Sequence, residues 1–567
     1  MVDMGHMSAR ESAEHEAARG RSVVALLAAV AVVVGVRLWA TQLAEFPYIV
    51  ADETAYLSMG RLLGGGDGWN LGRAATYGPA YSLLIAPWTA LGLSPDAQYR
   101  AAIYTNVAIA PGAFLLLEAL VRRLTRLERP WSIVAALAGT LTPSLAVLSG
   151  YAWSDSLAVF AFLLVVYACV RLVEDPHVDR AGAAALAAVF AYSVHGRFAP
   201  AAVVVLVLFG VLGWRLALRR LDALLAAAVL VAGVVAVSMV SGAIYGRLYE
   251  PGGQVRQTTS ELGRALRPGP LLLSVSGQVW YLLVTTAGMA GLGVIALMMV
   301  SLPRSRIVSS GLERGPGAWI TAALIAASFL CSAGFMADRP GPDHLIYGRY
   351  NDAIVGLLIS LGLARLATAG SPRRHVLDAG AVMAVTAATG LLIWWLRGDL
   401  LAQPYNGLTI RSLLALGREG TDRVVHYTVV GVVLTGLVAC FALAARKRPG
   451  TVLVVMVLLA GAGTYRGVDR TLGVRGGDPR AAIRLDGLAP SDERVAYVVG
   501  PEISGKGFYR YPFYAPDLHL YRTAAPVWKR GVPWIMASPT RADIQAAGYE
   551  IVWTDPNADH ALWRSTR

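Results

Sequence analysis

Charge is what this chain has least of. Only 15% of its 567 residues are Asp, Glu, Lys or Arg, against about 25% in soluble globular proteins. That shortage excludes an ordinary solvated surface over most of the length. Cysteine is nearly missing too: Cys169, Cys331 and Cys440 are the full set, and all three fall in apolar runs. A disulfide framework and a thiolate metal site are therefore excluded, and the three read as small apolar packers. No glycine-rich phosphate cradle, no fixed-period repeat and no pair of related halves is visible. These absences argue against a nucleotide-binding fold, a solenoid and a transporter built from repeats.

What fills the chain instead is apolar sequence. Hydrophobic residues make up 56% and the mean hydropathy is +0.52. Between Arg21 and Thr464 the sequence carries about thirteen runs approaching the roughly 20 residues that cross a bilayer. The fifth and sixth, 181–195 and 199–214, are short and separated only by a His-Gly-Arg turn. The expected fold is mainly α: a polytopic transmembrane helix bundle with a small α/β exterior domain at its C-terminal end. Residues 1–21 read as a polar, disordered cytoplasmic tail, 22–464 as the membrane domain with a long exterior loop at 41–100, and 465–567 as the exterior domain. In the last, Arg494–Val499 and Tyr549–Trp553 read as strands, and Pro539–Ala547 as a helix closed by Gly548.

Basic residues orient the runs. Arg122–Arg129, Arg215–Arg220, Arg304–Arg314, Arg373–Arg374 and Arg446–Arg448 alternate with less basic connections and mark the cytoplasmic side. Arg10, Arg19 and Arg21 hold the N-terminus inside, and an odd number of spans puts the C-terminus outside. The first run lacks a small-residue cleavage site and reads as a retained helix. These loops account for most of the net charge of +13, so the basic balance implies no nucleic-acid partner.

With this orientation the polar residues that could do chemistry gather on one face. Asp52 and Glu53 follow the first span, where adjacent carboxylates are costly unless paired or used. They fit a general base with a supporting acid, or the N-terminal cap of a helix starting near Thr54. Asp155 opens the fourth span as a second site acid or another cap. Arg197 and Arg349 are arginines on the face where topology does not call for them. Their planar forks suit phosphate oxygens, the alternatives being headgroup contact or pairing with Asp52, Asp155 or Asp352. Tyr56, His195, His344 and Tyr350 stand beside them as candidate substrate contacts, each histidine equally readable as a hydrogen-bonded structural residue. Arg247, Arg256, Arg264 and Arg267 make the loop after Tyr245 basic, which suits an anionic carrier or simple solvation near anionic lipid. No extended metal-ligand motif is evident, and a divalent cation held by the acids stays an alternative.

Asp52-Glu53-Thr-Ala-Tyr56, Pro79-Ala-Tyr-Ser-Leu-Leu84, Ser154-Asp155, the Arg197 turn and Arg349-Tyr350 occur in this order on one face. In these motifs the chain resembles the GT-C superfamily of polytopic membrane glycosyltransferases, especially bacterial members similar to protein O-mannosyltransferases and lipid A aminoarabinose transferases. The motifs are concentrated in about the first 215 residues; the rest is similar mainly in layout. The resemblance implies transfer of a sugar from a polyprenyl-phosphate carrier to an acceptor hydroxyl outside the membrane, with inversion. Asp52 would be the base, Asp155 the second acid and Arg349 the group near the carrier phosphate. The acceptor would be a glycan, glycolipid or protein. The competing class is a lipid-carrier or glycan transporter or flippase without transferase activity, which calls for mid-span charges and broken helices.

Overall fold

The computed structural model describes residues 4–44, 47–49, 51–72, 77–125, 127–249, 263, 267–301, 315–339, 341–368, 371–397, 407–416, 423–472, 493–498, 506–515, 518–523, 526–555 and 560–566. The basic stretch Arg304–Arg314 and the loop arginines Arg256 and Arg264 lie outside the described residues.

Ten described helices are long and apolar enough to cross a membrane, and two bent helix pairs would bring the number to twelve. The pairs are Arg129–Thr140 with Pro143–Gly150, bent by 67°, and Pro268–Thr285 with Met289–Met299, bent by 111°. Hydropathy registers each pair as one run, because a break of a few apolar residues leaves the average unchanged. At the sharper bend Ala287 and Gly288 both take positive φ, 49° and 77°. A side chain at Gly288 would also stand 2.6 Å from the Thr435 hydroxyl, so the bend needs glycine there. The remaining expected run, 181–195, is the 17-residue helix Val178–Val194, short for a span. The helix Asp155–Glu174 starts at Asp155, while Val178–Val194 ends just before Arg197. Those two side chains meet at 3.3 Å, so the two helices form a hairpin that leaves one face of the bundle and returns to it.

Several helices begin on proline, including Pro95, Pro316 and Pro449, where a missing N–H costs nothing and φ is already helical. The first helix runs unbroken from Met4 to Gln42, which corrects the expected disordered tail. Residues 8–19 are rich in Ala, Glu and Arg, strong helix formers, and the apolar span that follows supplies a nucleus for them to extend. Large apolar side chains such as Leu272, Met239, Leu391 and Leu458 stand exposed on the outer surface of the bundle, an arrangement suited to lipid rather than water. Trp214, Trp394 and Trp395, near helix ends, are 83%, 52% and 76% exposed, as interfacial aromatics are.

The C-terminal domain, which the sequence reading places outside, is a five-stranded sheet: β1 (Arg494–Val498), β2 (His519–Thr523), β3 (Trp534–Ala537), β4 (Tyr549–Thr554) and β5 (Ala561–Ser565), in the order β2-β1-β3-β5-β4. β1 runs parallel to β2 and β3, with Ala496 beside Tyr521 and Ile535; β5 runs antiparallel to β3 and β4. Two of these strands and the helix Ala542–Ala546 match the sequence reading. β2, β3 and β5 were not expected: β3 has only four residues, and β2 and β5 lack the continuous four-residue buried run of β1. The helix Lys506–Tyr514 joins this domain to the bundle, with Phe513 packed edge-on against Trp69 and Tyr99. The Thr54 hydroxyl donates to the Tyr509 carbonyl at 3.1 Å.

Candidate functional site

The helix Ala51–Leu63 follows the first span and carries Asp52 and Glu53 in its first turn, where the backbone dipole favours negative charge. Both carboxylates bond to groups outside this helix. Asp52 accepts from the Tyr77 hydroxyl through Oδ1 and from Nη1 of Arg349 through Oδ2. Glu53 turns the other way: fully buried, it accepts from the Tyr99 hydroxyl and from the Ala152 N–H, the latter at 2.8 Å.

Asp155 opens its helix beside Ser154, whose side chain makes no capping bond; the Ser154 hydroxyl meets that of Tyr56 at 2.5 Å instead. The Asp155 carboxylate accepts from Nε of Arg349 at 2.6 Å and lies 3.3 Å from Nη1 of Arg197. Arg349 therefore bridges two acids whose sequence positions are about a hundred residues apart. It fills the space between them that a shared cation would need. Its guanidinium lies 4.0 Å above the Trp153 ring, and Arg197 lies 4.7 Å above that of Tyr350, contacts that hold both forks in plane.

His195 ends the helix Val178–Val194, and its Nδ1 accepts from the Arg197 N–H at 3.2 Å. Its ring meets those of Tyr77 and Tyr350 edge-on. Burial, then the Arg197 charge, push its pKa down to about 3, so the ring is neutral at physiological pH. Burial and then Asp52 hold the Tyr77 hydroxyl well above its ordinary range, which keeps it a proton donor toward the carboxylate. Burial likewise raises Tyr56. His344 accepts from the Gly341 N–H at 3.0 Å and stacks on Tyr347, which ties it to its own turn. The structure thus brings Asp52, Asp155, Arg197, Arg349, Tyr56, His195 and Tyr350 together, sets Glu53 behind them and leaves His344 at the margin. Arg267, from the basic loop, pairs with Asp338 at 3.0 Å.

Further residues join that the sequence reading did not single out. Arg411, which opens the short helix Arg411–Leu414, is 1% exposed. It lies 5.2 Å from the Trp153 ring and 3.6 Å from Asp352. An arginine on the face that topology leaves poor in positive charge is the signal that marked Arg197 and Arg349, and it applies to Arg411 equally. Arg37 is buried inside the first span and reaches Ser149 at 3.4 Å; an arginine inside an apolar run is itself such a signal. Tyr77 and Tyr99 carried none, because aromatics at a membrane surface are common. Among the described residues no group of three or more His, Cys, Asp or Glu is placed to hold a metal ion.

The arrangement suits acid–base and anion chemistry. A carboxylate held by a phenol and a guanidinium is oriented and accessible, at 23% exposure of its side chain. Arg349 engages carboxylates through Nε and Nη1, which leaves its second Nη for another anion.

No family model matches the chain, and no curated protein matches it by sequence. Its structure is similar to solved structures of ArnT from Cupriavidus metallidurans. With ArnT bound to undecaprenyl phosphate the TM-score is 0.56 at 17% identity, over 95% of this chain and 97% of that one. With ArnT in the apo state it is 0.55 at 17% identity, over 96% and 98%. At this identity the likeness is one of fold: a bundle of apolar helices with a small C-terminal sheet domain.

Proposed function

We propose that this chain is a membrane glycosyltransferase. In this reading it moves a sugar from a polyprenyl-phosphate carrier to an acceptor hydroxyl on the extracytoplasmic face, with inversion and with Asp52 as general base. The observation that carries the reading is the bridge Asp52–Arg349–Asp155 at one face of a GT-C bundle. The ArnT structure of the same fold holds undecaprenyl phosphate, which supports a lipid-linked donor. Whether the sugar is a hexose or a pentose, and whether the acceptor is a glycan, a glycolipid or a protein, are finer choices that the fold leaves open.

The chemistry balances on the residues present. The acceptor hydroxyl attacks the anomeric carbon, and its proton passes to Asp52. The new C–O bond forms as the bond to the carrier phosphate breaks, and the electron pair stays on the phosphate oxygen. Asp52 loses its charge as the phosphate gains one. Arg349 is then released from Asp52 at the moment the leaving group needs it, and stabilising charge where it develops is usually the largest catalytic contribution. Arg197 holds the far side of Asp155 and keeps that carboxylate charged against Arg349. Both ends of this charge shift come from side chains already in contact.

The N-terminus is assigned to the cytoplasm and the C-terminus to the extracytoplasmic side, supported by the basic connections and by the hairpin that returns Arg197 to Asp155. A transporter without transferase activity has two observations in its favour, the two broken helix pairs and Arg37 buried inside the first span. The other charged groups described above gather at one face of the bundle, away from the sharper break, whose Gly288 approaches Thr435 and Val382. The deciding experiment supplies membranes with radiolabelled polyprenyl-phosphate sugars. Wild-type membranes should form a labelled product and Asp52→Asn membranes almost none. Labelled carrier that crosses the bilayer but is never consumed by wild type would favour the transporter.

A further inference from the structure

We propose that the cavity between the exterior domain and the first loop binds an anionic glycan, the acceptor whose hydroxyl is delivered to Asp52. The acceptor role rests on the transferase reading above; the binding site does not. The cavity measures about 380 Å³ and is lined by Trp69, Asn70, Arg247, Tyr249, Arg494 and His519, among others, a volume within the range of ligand clefts.

Its walls are fixed. Trp69 is held at both ends of its peptide unit by the Ser58 hydroxyl, which accepts from its N–H at 2.7 Å and donates to its carbonyl at 3.0 Å. Leu71 donates to the Leu248 carbonyl at 2.7 Å, which ties the first loop to the end of the helix Arg220–Leu248. Gly68 packs closely here: a side chain on it would stand 2.2 Å from the end of the Leu248 side chain. The opposite wall is β1 and β2 of the exterior domain, with Phe513 packed on Trp69.

Its chemistry is one-sided. Arg247 and Arg494 are exposed, and among the described residues neither has a carboxylate partner and no Asp or Glu lines the cavity. Aromatic bodies beside cationic forks suit a pyranose ring bearing carboxylate or phosphate groups. The cavity also communicates with the site. The Tyr249 ring meets that of Tyr245 edge-on, and the Tyr245 hydroxyl donates to the Tyr77 carbonyl at 2.7 Å, which links this wall to the partner of Asp52. Thr54, two residues past Asp52, bonds to the exterior helix at Tyr509.

The test uses the full chain in lipid nanodiscs and follows binding by tryptophan fluorescence. The probes are a tetra-uronate, a phosphorylated maltotetraose and neutral maltotetraose. At least one anionic probe should bind about tenfold or more tighter than the neutral one, as charge-assisted hydrogen bonds do, and added salt should weaken it. Preference between the two anionic probes identifies carboxylate or phosphate as the acceptor's charge. The double variant Arg247→Gln/Arg494→Gln should lose that preference while its melting temperature holds, both arginines being exposed. Equal binding of all three probes, or unchanged affinity in the double variant, would overturn the proposal. So would transfer at the wild-type rate to envelope acceptors by the double variant, a result that leaves the transferase reading standing. Anionic binding with no transfer from any polyprenyl-phosphate sugar would keep the cavity as a glycan site and remove the transferase reading instead.

Discussion

The two sides of the helix Ala51–Leu63 carry adjacent acids in opposite circumstances. Successive residues on a helix point about 100° apart, enough here to send Asp52 into the polar cluster and Glu53 into the packed interior. Asp52 keeps part of its surface open, and its two partners are the ends of side chains, the Tyr77 phenol and the Arg349 fork. A ligand can take the place of either. Glu53 is closed off, and one of its partners is the backbone N–H of Ala152, which no ligand replaces. That bond anchors the turn Tyr151–Ser154 to the helix, and the turn in turn presents Trp153 and Asp155 to the arginines. Exchangeable partners suit chemistry; fixed ones suit positioning. In the proposed mechanism one acid reacts and its neighbour holds the frame.

The largest effect should come from breaking the reactive side. Asp52→Asn keeps the size and can still accept from Tyr77, but it cannot take the acceptor proton. Turnover should fall by about 10²–10⁴-fold, the usual contribution of a general base, with carrier binding and melting temperature little changed. Transfer, abundance and donor affinity measured together check this. An active Asp52→Asn protein would shift the base to Asp155.

Arg349→Ala comes next and strikes both sides of the comparison. It strands Asp52 and Asp155 together without their shared cation, and breaking a buried ion pair costs about 3–5 kcal/mol. Lower thermal stability and weaker donor binding should appear together. Arg349→Lys should recover stability better than turnover, because a single ammonium cannot reach both carboxylates and a phosphate. A lysine variant with full activity would remove the fork from the mechanism.

Glu53→Ala should reverse the pattern of Asp52→Asn. It leaves the Tyr99 hydroxyl and the Ala152 N–H without this acceptor in a buried setting, for about 1–3 kcal/mol of stability. Donor affinity in the surviving folded protein should change little. If Glu53→Ala melts like wild type yet transfers no sugar, Glu53 belongs with Asp52 and the distinction between the two sides fails.

Why one side was legible in the sequence and the other was not follows from what each residue type signals. Asp52, Asp155, Arg197 and Arg349 stood out because charge beside a membrane span needs a reason, and apolar length marked the spans themselves. The same reasoning reaches Arg37 and Arg411 once they are weighed as charges out of place. Only the resemblance distinguished Asp52 from Glu53 as the base; the residue pattern alone did not, since the helix's rotation relative to its neighbours decides which acid meets Arg349. The bends at Leu141–Thr142 and Ala287–Gly288 were likewise invisible, because packing rather than hydropathy sets them. In the exterior domain β1, with four of its five residues buried, was readable. β3 is just as buried but too short to register without its neighbours β1 and β5.

The smallest effect belongs to His195, which lies on the reactive side yet carries no charge there. Its ring is wedged between Tyr77 and Tyr350. Burial and Arg197 hold its pKa at about 3 in the folded protein, while the unfolded chain should show the ordinary value near 6.5. Between these values the unfolded state binds the proton that the folded state refuses. Stability therefore rises with pH across this window, is complete above about 6.5, and drains away as pH falls toward 3. His195→Gln keeps a polar group in the turn but has no proton to take up. Its melting temperature should decline less than that of wild type between about pH 7 and pH 5, with turnover near neutral pH only modestly altered. Melting curves for both proteins across that range make the comparison. Parallel declines would mean that the acid response comes from the carboxylates around Arg349, and that His195 serves only as packing between two tyrosines.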